Sequence, residues 1–83
     1  MKKYLVEVRF PASGQRYDAY LPASRRIHEV SELLARIATS LSQGTYEGTE
    51  NAMLLDADTG MPFDRESTVH DVGIRNASRL ILI

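Results

Sequence analysis

Two histidines, a pair of carboxylates beside a glycine and a scatter of serines are the residues here that could do chemistry. His28 and His70 stand far apart, with no cysteine anywhere in the chain, so neither has the spacing of a zinc site or of a nucleophile paired with its base. Both are read as surface histidines, one on a helix and one in a turn. Asp56-Ala57-Asp58-Thr59-Gly60 offers two carboxylates, and Glu66 follows the glycine by six residues, as the bidentate glutamate of a calcium loop does. Pro62 and Phe63 interrupt that spacing, and Gly60 takes the fifth position, where such a loop keeps an oxygen ligand. The stretch is read as a simple turn. The serines lack a nucleophile elbow, and no glycine-rich phosphate loop exists. Asn76-Ala77-Ser78 fits the glycosylation pattern but reads as a turn. Catalytic, cofactor-binding and metal-binding residues are therefore expected to be none.

Composition narrows the partners. Ten Lys plus Arg against eleven Asp plus Glu give a formal charge of -1, and the basic residues are scattered rather than gathered in the stripe that nucleic-acid binding needs. The absence of cysteine excludes disulfides and iron–sulfur clusters and fits a reducing compartment. Met1-Lys2-Lys3-Tyr4 begins with two positive charges, but Glu7 and Arg9 deny the following segment the apolar run of a signal peptide. No stretch approaches the ~18 apolar residues of a membrane span. The expectation is a single domain over residues 1–83, cytoplasmic, without nucleic-acid binding or direct membrane insertion.

Residues 4–10 alternate, with Tyr4, Val6, Val8 and Phe10 on the core face and Leu5, Glu7 and Arg9 on the other. Pro11-Ala12-Ser13-Gly14-Gln15 supplies a reversal, and residues 16–21 resume the period with Tyr17, Ala19 and Leu21 against Arg16, Asp18 and Tyr20. An antiparallel hairpin follows. From Ile27 the spacing changes to that of a helix, with Ile27, Val30, Leu34, Ile37 and Leu41 on the buried side, Leu33 and Ala38 widening the stripe, Ser24 as the cap and Gly44 as the stop. Residues 44–51 read as a loop. Met53-Leu54-Leu55 is a short strand, the Asp56–Gly60 segment a turn, and Met61-Pro62-Phe63 a brief return that proline confines to an edge. Val69, Val72 and Ile74 belong to a compact turn begun by Ser67 or Thr68 and stopped near Gly73. Residues 78–83 form the last strand.

This order predicts an α+β fold of the β-grasp type: a mixed sheet of four to five strands with one main helix packed on one face, the first and last strands pairing in parallel at its centre. Leu80-Ile81-Leu82-Ile83 is apolar on both faces, as a central strand would be. The passage Leu21-Pro22-Ala23-Ser24 to Ile27 and Val30 resembles the strand-to-helix passage of ubiquitin. The ending from Ser67 through Ile74, Asn76 and Ile83 resembles the last turn and strand of ubiquitin-like proteins, and among these the YukD-type (EsaB-type) proteins associated with type VII secretion in Gram-positive bacteria. Where many relatives have glycine after the asparagine, Ala77 stands here, so the turn is expected to place its left-handed residue at Asn76 or to change type.

The resemblance implies a non-enzymatic adaptor in the bacterial cytoplasm that binds proteins and is not conjugated. Its partner would be the cytoplasmic part of a secretion-system membrane protein or an ATPase. Ubiquitin-type modifiers carry a Gly-Gly tail beyond the last strand, and none precedes Ile83. Function is therefore expected in a surface, the alternatives being a sulfur carrier or modifier whose tail is missing from this chain, or a domain cut from a larger membrane protein. If the last strand is central, Leu5, Leu54, Ile81 and Ile83 should point away from the helix as neighbours and make an apolar patch, on the face where ubiquitin has its main recognition surface. The second strand should be an edge, with Arg16, Asp18 and Tyr20 flanking any strand added there, including that of a weak homodimer.

Overall fold

A computed structural model describes residues 2–41 and 52–83. Gly44 and the loop expected over 44–51 lie outside the described residues. Strand β1, Lys3–Phe10, forms because aromatic and β-branched residues occupy every second position, and burial follows that period: Tyr4, Val6, Val8 and Phe10 are buried while Lys3, Leu5 and Arg9 are exposed. The Phe10 carbonyl accepts the N–H groups of Ser13 and Gly14 at 3.2 and 2.9 Å, and Gly14 turns the chain at φ 68°. Strand β2, Gln15–Pro22, then returns antiparallel, with Leu5 opposite Tyr20, Glu7 opposite Asp18 and Arg9 opposite Arg16.

Helix α1, Ile27–Leu41, buries Ile27, Val30, Ser31, Leu34, Ala35 and Ala38. The expected stripe is corrected on one flank: Leu33 and Ile37 are 48% and 42% exposed. Small residues at 31, 35 and 38 let the helix sit close to the sheet, and Ser31 loses nothing by burial because its hydroxyl donates to the Ile27 carbonyl at 2.7 Å. Ser24 is not the cap. The Glu29 carboxylate reaches back to the Arg26 N–H at 3.0 Å, and the next two orphan donors, Ile27 and His28, go to the carbonyls of Ser67 and Arg65. The Arg26 N–H, and after it the Arg25 guanidinium at 3.1 Å, hold the Glu29 carboxyl below the usual carboxylate range.

Strand β3, Leu54–Asp56, and strand β4, Arg79–Leu82, complete a four-stranded sheet in the order β2-β1-β4-β3. β4 runs parallel to β1, with Glu7, Val8 and Arg9 opposite Arg79, Leu80 and Ile81, and antiparallel to β3. Leu80 and Leu82 fill the centre of the core at 1% and 0% exposure. The return after the Asp56–Gly60 turn is a single bridge between Leu55 and Pro62 rather than a strand. Around Val69 and Ile74, both buried, the Thr68 hydroxyl accepts the Asp71 N–H and Gly73 adopts φ 92°.

The left-handed residue of the last turn is Ala77 itself, at φ 71°, and not Asn76. Asn76 is occupied elsewhere, since its Oδ1 accepts the Leu5 N–H at 2.9 Å while the Ala77 N–H donates to the Leu5 carbonyl at 2.8 Å. These bonds and the Ser78 hydroxyl, which accepts the Arg75 N–H at 2.9 Å, hold a conformation that costs an alanine about 1–2 kcal/mol. Ala77→Gly should therefore raise stability by about 0.5–1 kcal/mol, the relief of strain less the extra entropy of an unfolded glycine. Urea or thermal unfolding measures it, and a lower midpoint for the variant would contradict the strain.

Candidate functional site: the outer face of the sheet

Strand parity divides the sheet into a face under α1 and an outer face. The outer face carries Arg16, Asp18 and Tyr20 from β2, Leu5, Glu7 and Arg9 from β1, Arg79 and Ile81 from β4, and Leu55 from β3. Beyond the ends of the last two strands, Met53 and Ile83 exchange two backbone hydrogen bonds at 2.9 and 3.0 Å.

Two corrections to the expected patch follow from this register. Leu54 points into the core at 2% exposure, because it pairs with Leu82, whereas Met53, 43% exposed, and the half-buried Leu55 face outward. Leu5 does not adjoin Ile81. The 75–78 turn docks against Leu5, so β4 meets β1 only from Glu7 onward, and Arg9 stands opposite Ile81. The apolar cluster is therefore Met53, Leu55, Ile81 and Ile83, at one end of the face. Met53 and Leu55 were missed because three apolar residues in a row reveal no alternation.

Leu5 sits at the opposite end, in a shallow open groove of about 700 Å³ that also involves Lys3, Glu7, Asp18, Tyr20 and Arg79. Between the two ends runs a charged band. Arg16 pairs with Glu7 at 3.5 Å, and Arg79 pairs with Asp58 at 2.5 Å. All these side chains are exposed or half-buried, so the pairs add little stability and mainly fix where charge sits. As expected of Arg16, Asp18 and Tyr20, they lie on an edge strand, and Tyr20 is 66% exposed.

The remaining candidates have local partners. The Asp56 carboxylate accepts the Asp58 N–H at 2.9 Å. Asp64 accepts the Glu66 N–H and then the Ser67 hydroxyl, which keep its carboxyl below the usual range. Among the described residues no group of three or more His, Cys, Asp or Glu could hold a metal ion. His70 lies in a turn, with its Nδ1 2.5 Å from the Tyr4 hydroxyl, and Arg75 lies over the Tyr4 ring while donating to the carbonyls of His70 and Ile74. That cluster ties the 69–75 segment to β1. Among the described residues no helix is long and apolar enough to cross a membrane.

Neither protein-family models nor curated proteins give a match to this chain. Solved structures do. The ubiquitin-like domain of EccD5 from Mycobacterium xenopi is 18% identical over all of this chain and 94% of its own, with a TM-score of 0.80. The ubiquitin-like domain of the Mycobacterium tuberculosis type VII secretion protein ECCD1 is 14% identical over 100% of this chain and 99% of its own, at 0.74. This is a ubiquitin-like β-grasp fold. A chain of the ESX-5 inner membrane complex matches at 17% identity and a TM-score of 0.82, and there this chain covers all of itself but only 21% of the other.

The corrected parity has a direct check in paired truncations. Leu54→Ala should cost about 2–5 kcal/mol, as a buried leucine does, while Leu55→Ala should cost under about 1.5 kcal/mol. Chemical denaturation of the two variants measures the difference, and equal losses would contradict the assignment of faces.

Proposed function

We propose that this chain acts as a single ubiquitin-like domain, a non-enzymatic adaptor of a bacterial type VII secretion system. On this reading it works in the cytoplasm and binds the cytoplasmic part of a secretion-system membrane protein or its ATPase. It does so through its outer sheet face and is not itself conjugated. The observation that carries the reading is the cluster of Met53, Leu55, Ile81 and Ile83 left on that face, Met53 and Ile83 being 43% and 53% exposed. Large apolar side chains gathered at one end of a sheet and bordered by charge are what an exposed protein-interaction patch presents, rather than a catalytic cleft.

Two supports point to the pathway. The likeness to secretion-associated ubiquitin-like domains runs the whole length of this chain. The wording of the ending, Thr68-Val69-His70-Asp71-Val72-Gly73-Ile74-Arg75-Asn76, resembles that of the YukD-type proteins.

Ile81 is half-buried on the outer face, between Leu55 and Arg9, so Ile81→Glu places a charge in the cluster without opening the core. The variant should keep its circular dichroism spectrum and lose at least about tenfold in affinity for the secretion component. The test is affinity capture from the source cell with wild type and variant side by side, the captured proteins being identified by mass spectrometry. Unchanged capture, an unfolded variant, or partners unrelated to secretion would each refute the reading.

A further inference from the structure

The hairpin register sets like charge against like. Glu7 stands directly opposite Asp18, and Arg9 directly opposite Arg16. The odd-numbered residues of β1 turn their backbone groups toward β4: Leu5 accepts the Ala77 N–H at 2.8 Å, and Glu7 donates to the Ser78 carbonyl at 3.0 Å. Their partners across β2 are thus the non-hydrogen-bonded pairs of the antiparallel ladder, whose side chains come closest, and like charges facing there are destabilising. The Arg16–Glu7 pair relieves this on one diagonal only. Among the described residues neither Arg9 nor Asp18 has an ion-pair partner.

The same geometry decides which main-chain groups of β2 look outward. Tyr17 and Ala19 exchange bonds with β1, so the N–H and C=O groups of Arg16, Asp18 and Tyr20 point to the open edge, where no described strand lies.

We infer that this edge pairs with β2 of a second copy, antiparallel about Tyr17, so that Arg16 of each copy faces Asp18 of the other. Arg16-x-Asp18 is self-complementary in that direction. The two like-charged rows then continue into opposite charge, Arg9 and Arg16 meeting Asp18 and Glu7 of the second copy, and the reverse in the other row. Both residues also bring their outward N–H and C=O groups to the contact, giving four main-chain hydrogen bonds beside two ion pairs.

Neighbouring registers are poorer. Centring on Asp18 sets the two Asp18 carboxylates face to face, and centring on Ala19 puts Arg16 against Pro22, which has no N–H to donate. The contact is narrower than a standard stable interface, so the dimer is weak and forms at high concentration. It does not rest on the adaptor reading, because it uses the edge of β2 and leaves the Ile81 end free.

Sedimentation equilibrium of the 83-residue chain, from micromolar to millimolar, provides the test. Wild type should dimerise with rising concentration and less so at high salt. Arg16→Asp and Asp18→Arg should each weaken association at least about tenfold, and the double swap should return it to within about threefold of wild type. Both side chains are exposed, and if a swap unfolds the chain, Arg16→Gln and Asp18→Asn must each weaken the dimer in its place. A wild type that stays monomeric at millimolar concentration, single variants that associate normally, or a folded double swap that fails to recover would overturn the proposal.

Discussion

The parallel pairing of β4 with β1 is the constraint on which the rest of this structure depends. Val8 and Leu80 stand opposite one another at the centre of the sheet, at 0% and 1% exposure, and β4 also pairs with β3 on its other side. Because a strand's side chains alternate, fixing Leu80 and Leu82 under the helix sends Arg79, Ile81 and Ile83 outward. The position of the apolar cluster, the placement of the 75–78 turn against Leu5 and the freedom of β2 at the edge all follow from that one register.

Elements long enough to show a period could be read from the sequence. Eight residues of β1 and eight of β2 repeat the alternation often enough to assign faces. So the hairpin, the central last strand and the edge position of β2 follow from residue order alone. The helix was legible, and Ile27, Val30, Leu34 and Ala38 are buried as expected, but one flank of its stripe was not. Leu33 and Ile37 are the more hydrophobic residues, yet Ser31 and Ala35 are buried in their place, because close approach to a sheet favours small side chains over large ones.

Short elements hid their geometry for a different reason. Met53-Leu54-Leu55 is uniformly apolar, and only the pairing of Leu54 with Leu82 decides its parity. Ala77 takes the left-handed position at φ 71° because Asn76, the residue better suited to it, is held to the Leu5 N–H; a rule about residue preference cannot anticipate that competition. The opposition of Arg9 to Arg16 and of Glu7 to Asp18 is equally invisible in the sequence. It exists only once the four-residue turn over Pro11–Gly14 has set which residues face each other.

Amide hydrogen exchange tests most directly that β4 is the interior strand. With bonds to β1 on one side and β3 on the other, the N–H groups of Leu80, Ile81 and Leu82 should open only with global unfolding and exchange among the slowest in the protein. Exchange at these three residues as rapid as at the turn residues Ala12 and Thr59 would mean that the strand frays or lies at a border, and the account of both surfaces would fail with it.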